Sequence, residues 1–182
     1  MMKIQLVDDE PHILRALQRV LHPHGWELHC FSDIEEALQA LIEHEYAVII
    51  ADYKMPKLDG ITYLQFAKQR QPHAMRMLFS GHGDRQSMMQ AINRAEIYRF
   101  LSKPWEDYEV EAAAKAAIDI FQLRSENQRL LAQVRSQKSA LLSQRAQLLL
   151  LEARHPGLAC VNRDDDGALL FDGEQFGEGD HG

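Results

Sequence analysis

The sequence predicts an α/β fold in which a parallel sheet is covered by helices on both faces. Three observations carry this reading. Short apolar runs alternate with stretches of helical periodicity five times within residues 1–118. Four of those runs end abruptly in chemically active side chains: Lys3–Val7 in Asp8-Asp9-Glu10, Ile49-Ile50-Ala51 in Asp52, Met77-Leu78-Phe79 in Ser80, and Phe100-Leu101-Ser102 in Lys103. In open α/β sheets ligands bind outside the carboxyl ends of the strands, so these groups are expected to converge there. Finally, from Glu106 to Arg154 there is neither Pro nor Gly, and strong helix formers dominate.

The elements follow in order. Lys3–Val7 is short and mostly apolar, as a central parallel strand requires. Pro11 suits a first helical turn, and Ile13, Leu14, Leu17, Val20 and Leu21 recur at helical spacing until Pro23 and Gly25. Trp26–Phe31 is the second strand. Ser32 or Asp33 can cap a helix over 34–44 that buries Ala37, Leu38 and Leu41. Tyr46–Ala51 is the third strand and delivers Asp52. Met55-Pro56-Lys57-Leu58-Asp59-Gly60 is rich in turn formers, and Asp59 and Gly60 shape that loop. A third helix occupies 61–70, and Met75–Phe79 is the fourth strand. After Gly81-His82-Gly83, Asp84 can cap a fourth helix with Met88, Met89, Ala91 and Ile92 on one face. Tyr98–Leu101 is the fifth strand, and Pro104-Trp105 opens the last helix.

Composition bounds the function. A formal net charge of -7 gives no support for non-specific binding to nucleic acid or anionic membranes. Two cysteines, Cys30 and Cys160, are too few and too scattered for a disulfide framework or a thiolate metal site, which fits reducing cytoplasm. No signal peptide precedes the first strand, and no apolar run approaches the roughly 18 residues of a membrane span.

The last helix carries a seven-residue repeat. Ile120, Asn127, Val134, Leu141 and Leu148 share one position, and Leu123, Leu130, Gln137, Gln144 and Leu151 lie three residues later. As a and d of a heptad they describe a parallel two-stranded coiled coil, with Asn127 as the polar seam residue that fixes register. Gln137 and Gln144 weaken its middle. Beyond the helix, Leu158–Val161 and Ala168–Phe171 flank a polar turn, which suggests a hairpin, and residues 172–182 are Gly- and acid-rich. The expected divisions are therefore 1–118, a folded domain; 119–154, a coiled-coil helix; 155–171, a hairpin; and 172–182, a disordered tail.

Four motifs together carry a resemblance: Val7-Asp8-Asp9-Glu10, Asp52-x-x-Met55-Pro56-x-x-Asp59-Gly60, Ser80-Gly81 and Lys103-Pro104. Over residues 1–118 the chain resembles the CheY-like receiver domain of bacterial two-component response regulators. The resemblance implies a doubly wound five-stranded sheet of order 2-1-3-4-5. It implies Asp52 as phosphoacceptor, with Lys103 and Ser80 on the phosphoryl group. Asp8, Asp9, Asp52 and the backbone carbonyl of Lys54 would hold Mg2+. Phe100 matches the switch aromatic, and Tyr98 could share that role. The implied partners are a sensor histidine kinase, a second copy of the chain (through the coil and the face of the fourth helix, fifth strand and fifth helix) and an unidentified downstream protein.

Function is accordingly expected to be a cytoplasmic signalling switch with no dedicated catalytic domain. No basic helix-turn-helix module follows the linker, so direct DNA binding is not expected. Two alternatives stand beside it. One is an adaptor or phosphotransfer protein that regulates a separate enzyme. The other is the front part of a longer regulator, since Ile97–Trp105 resembles receivers attached to cyclic-di-GMP phosphodiesterase domains of the HD-GYP type.

Overall fold

The computed structural model describes residues 1–81 and 95–154. Five parallel strands, β1 (Lys3–Val7), β2 (Glu27–Phe31), β3 (Val48–Asp52), β4 (Met75–Ser80) and β5 (Arg99–Ser102), form one sheet of order β2-β1-β3-β4-β5. Helices α1 (Pro11–Leu21), α2 (Ile34–Glu43) and α3 (Gly60–Arg70) connect the strands, and α4 (Asp107–Arg154) follows β5. This is the doubly wound α/β fold that the alternation of elements implied. The loop and helix expected over residues 82–94, the hairpin at 155–171 and the tail at 172–182 lie outside the described residues.

Local chemistry sets the boundaries. Pro11 opens α1, and the chain leaves that helix through a 3-10 turn, His22–His24, into Gly25 at φ 70°. Asp33, rather than Ser32, caps α2 by accepting from the Glu35 and Glu36 amides. Asp59 caps α3 in the same way, through the Ile61 and Thr62 amides. β3 starts at Val48, later than the apolar run, because the Tyr46 amide donates to the Gln71 side chain instead of a strand partner. The last helix starts at Asp107, not at Pro104-Trp105. The Glu106 carbonyl accepts from the Glu109 and Val110 amides, while Trp105 packs on Phe79 with ring centroids 5.0 Å apart.

Each sheet face buries its own core. One contains Leu14, Leu17 and Leu21 of α1 with Val110, Ala113, Ala114, Ala117 and Ile118 of α4. The small residues let α4 lie close on the sheet, and burying Val110 and Ile118 contributes on the order of 1.5–3 kcal/mol each. The other core joins Ile34, Ala37 and Leu41 of α2 to Tyr63, Leu64 and Ala67 of α3. Within it lies a polar network. Gln5, fully buried in β1, donates from Nε2 to the Ala37 carbonyl at 2.9 Å and accepts at Oε1 from the Tyr63 hydroxyl at 2.6 Å. One side chain thus ties β1 to both helices on that face.

The chain divides into two compact units, residues 1–129 and 130–182. The first runs past residue 118 because α4 keeps touching the sheet. Ile120 and Phe121 pack against the α1-side core, and Gln128 Nε2 lies 3.1 Å from His73 Nδ1. In the second, residues 130–154 are helical, with Leu130, Leu131, Val134, Leu141, Leu142 and Leu148–Leu151 exposed. No helix among the described residues is long and apolar enough to cross a membrane.

The Gln5 network gives a direct test. Tyr63→Phe leaves the buried Gln5 oxygen without its donor and should cost about 1–3 kcal/mol in urea unfolding. An unchanged unfolding midpoint would contradict the role assigned to this contact.

Candidate functional site

Strand register builds the site. Val7 pairs with Ala51, Asp52 with Phe79 and Ser80 with Ser102, so four strands end at one edge of the sheet. The residues at or just past those ends are Asp8, Asp52, Ser80 and Lys103. Asp52 is the last residue of β3 rather than the first beyond it, and its ladder position restrains its backbone.

Lys103 joins the two acids. Its Nζ lies 2.6 Å from Asp8 Oδ2 and 2.6 Å from Asp52 Oδ1. The second oxygen of each carboxylate takes a backbone amide: Glu10 N–H donates to Asp8 Oδ1 at 2.9 Å, and Lys54 N–H donates to Asp52 Oδ2 at 2.8 Å. Asp8 is 2% exposed, and Asp52 and Ser80 are buried as well. Two neighbouring buried carboxylates repel one another and require a cation between them. Here the ammonium supplies it. The Lys103 amide also donates to the Ser80 carbonyl at 2.8 Å, fixing the start of the β5–α4 loop against the end of β4.

Burial outweighs the Lys103 hydrogen bond at Asp8 and holds that carboxyl above its ordinary value. For Lys103 the balance runs the other way. Burial works against its charge, but hydrogen bonds to Asp52 and Asp8 prevail and hold the ammonium above the ordinary lysine value.

Gly60 is packed into the site. A Cβ at that position would fall 1.9 Å from the Asp52 carbonyl oxygen, so only glycine lets α3 begin this close to β3. The sequence signalled Gly60 as loop-shaping, but the partner of its close approach was not readable. Lys57, at φ 70°, reaches across to Glu35 Oε1 at 2.9 Å and Asp33 Oδ2 at 3.4 Å, tying the loop after Asp52 to the start of α2. That clamp was missed, since nothing in the sequence pairs residues in separate loops.

The remaining expected residues are placed as follows. Asp9 is exposed beside Asp8. Phe100 is half-buried against the α2–α3 core and lines an open recess of about 350 Å3 with Tyr108 and Ala112. Tyr98 packs on the other core, the one shared by α1 and α4. It precedes β5, so strand alternation does not put it on the Phe100 face, and the two aromatics are separated.

The site's donors are hard carboxylate oxygens, which suit Mg2+ rather than a softer ion. Among the described residues no group of three or more His, Cys, Asp or Glu side chains is arranged to hold a metal ion. Asp8 and Asp52 meet on Lys103, and Asp9 is the further acid within reach in sequence. The residue types therefore fit the ion, with Asp9 needed to complete the set.

Comparison with known proteins agrees with this geometry. Residues 4–115 match the response regulator receiver domain family. The hydrogenase transcriptional regulatory protein HoxA of Bradyrhizobium diazoefficiens is 30% identical over 128 residues, covering 69% of this chain and 26% of HoxA. The transcriptional regulatory protein FixJ of the same organism is 30% identical over 115 residues, covering 63% of this chain and 56% of FixJ. The chain thus spans between a quarter and about half of these relatives' lengths. Among solved structures, the signal receiver domain of an HD domain-containing protein from Pseudomonas fluorescens Pf-5 superposes with a TM-score of 0.64. It is 38% identical and covers 66% of this chain and 97% of that one. The beryllofluoride-activated NtrC4 receiver domain dimer superposes with a TM-score of 0.62 at 28% identity, covering 66% and 99%. A receiver of this kind is a non-catalytic module of phosphorylation-based signalling. With its fold, its strand-end acids and lysine and the match over residues 4–115, this chain belongs to the response regulator receiver domain family.

Proposed function

We propose that the chain is a cytoplasmic, phosphorylation-dependent switch in which Asp52 accepts a phosphoryl group from the phosphohistidine of a sensor kinase. The observation that carries this reading is the Lys103 ammonium held between Asp8 and Asp52 at the carboxyl edge of the sheet. One Asp52 oxygen forms the new P–O bond as the donor's P–N bond breaks. Lys103, freed from carboxylate pairing, places its charge on the phosphoryl oxygens. Ser80, at the end of the adjacent strand, supplies a hydroxyl to the same group.

Mg2+ would be held by Asp8, Asp9, Asp52 and the Lys54 backbone carbonyl. When bound, the ion neutralises charge on the incoming phosphoryl oxygens. The chain's own contribution is to bury Asp8 and Asp52, orient Asp52 through the Lys54 amide and keep Lys103 at hand.

Phosphorylation adds charge and acceptor oxygens at Asp52. Ser80 drawn toward them leaves space that Phe100 fills from its half-buried position beside the recess at Tyr108 and Ala112. The surface of β5 and the first turns of α4 then changes, and α4 carries the change into its exposed leucine seam. The helix can serve its own domain and a second copy together. At ~100° per residue, Phe121 on the core side and the exposed Leu123 lie roughly 160° apart around the helix. A parallel pair of helices with Asn127 in the seam is the proposed output form. The second reading is an adaptor, or the receiver of a longer regulator. The short share of HoxA and FixJ that this chain spans favours the latter.

Asp52→Asn should keep the fold, seen by circular dichroism, and abolish acid-labile phosphate incorporation from acetyl phosphate with Mg2+. Undiminished incorporation would reject Asp52 as acceptor. Mg2+ binding requires ionised carboxylates, so protons compete with it. Because Asp8 is held above its ordinary value of 3.8, affinity measured by calorimetry should fall on acidification while ordinary aspartates are still ionised. Affinity that is flat down to that value would argue against Asp8 as a ligand. Light scattering of the full chain, with and without beryllofluoride, should detect a dimer in at least one state. Monomers in both would remove the coil from the account.

A further inference from the structure

Six of the exposed leucines of the distal helix form adjacent pairs: Leu130/Leu131, Leu141/Leu142 and, opening the run that continues through Leu150 and Leu151, Leu148/Leu149. Adjacent helical residues are ~100° apart, so each pair serves two faces. Leu130, Leu141 and Leu148 fall on the seam with Val134. Leu131, Leu142 and Leu149 are separated by spacings that return to within ~20° of one another, and they form a second apolar stripe. They are 57%, 59% and 59% exposed. A two-stranded coil buries only the first stripe.

The second stripe is basic as well as apolar. Between Asn127 and Leu151 the sequence holds Arg129, Arg135, Lys138 and Arg145 and no acid, in a chain of formal charge -7. Arg135, Lys138 and Arg145 are exposed and lie along the stripe. A second copy cannot neutralise Lys138 and Arg145. In a parallel pair they face positions 133 and 140, which are Gln and Ala. The chain's own acidic residues beyond 154 are interrupted by glycines at 157, 167, 173, 177 and 179. The longest glycine-free run there, 158–166, is shorter than the stretch from Leu131 to Leu149, which spans ~27 Å of helix.

We propose that the Leu131–Leu142–Leu149 flank is a docking site for an amphipathic helix of a partner protein. That helix would carry apolar residues at helical spacing and acidic residues facing Arg135, Lys138 and Arg145. The proposal rests on the coil reading above only in giving the other stripe to a second copy. On a paired coil the flank occurs twice, so two partner helices complete a four-helix arrangement in which both leucine stripes are covered.

The test is fluorescence anisotropy of two labelled synthetic helical peptides against the full chain. The peptides share a leucine stripe, and one carries glutamates where the other carries lysines. The glutamate peptide should bind roughly tenfold more tightly, as three exposed ion pairs allow. Combined R135E, K138E and R145E should reverse the order. Combined L142S and L149S should weaken binding about tenfold, without the change in oligomeric state that a seam substitution would cause. Equal binding of the two peptides, no binding of either, or full binding to the serine variant overturns the proposal. So does binding that appears only after Asp164, Asp165 and Asp166 are changed to Asn, because the flank then belongs to the chain's own acids. Monomeric protein that still prefers the glutamate peptide supports the flank site and defeats only the paired coil.

Discussion

One ammonium between two buried carboxylates is the constraint on which the rest of the molecule depends. Asp8 and Asp52 come from strands that are neighbours in the sheet, and Lys103 comes from the far edge strand. Without the lysine the acids would be buried, close and unbalanced, an arrangement costing several kcal/mol. With it each carboxylate has an ammonium on one oxygen and a backbone amide on the other. The neighbourhood holds that arrangement in place. The Lys103 amide is tied to the end of β4, which keeps the side chain's charge near Asp52. Gly60 lets α3 begin against the Asp52 carbonyl, and Lys57 holds the intervening loop to α2. Charge compensation is local, so under the proposed function a new negative group on Asp52 acts on Lys103 first and on the β4–β5 edge next.

α4 faces two ways. Its first turns are alanine-rich and lie on the sheet, and its later turns are leucine-rich and exposed. Ile120 belongs to the heptad by sequence but packs against the domain's own core. A seam for the proposed second copy therefore begins effectively at Leu123. Gln128 lies against His73, at the pole of the sheet opposite Asp52 and Lys103.

Much of this was legible in the sequence for identifiable reasons. A parallel strand buried on both faces is a short apolar run, and a strand-end functional group is an abrupt polar residue after it. Asp8, Asp52, Ser80 and Lys103 could therefore be aligned at one edge before any coordinates. What was not legible depended on distant pairs. Gln5 looks like a polar interruption of β1 until Tyr63 is brought over it. Arg76 looks like a surface residue in β4, yet it is buried and donates to the Ala74 and Ala95 carbonyls. Tyr98 and Phe100 look like same-face neighbours, but the strand begins between them and they fall into different cores. The helix start moved past Trp105 because its ring is used against Phe79, a contact between separate strand ends.

The most direct measurement of the central claim is a crystal structure of the full chain with Mg2+ and beryllofluoride. The account predicts beryllium on Asp52, Lys103 Nζ moved from Asp8 onto a fluoride, and Asp8 and Asp9 turned to the magnesium ion. Beryllofluoride bound elsewhere, or Lys103 still paired with Asp8 while Asp52 is occupied, would contradict it.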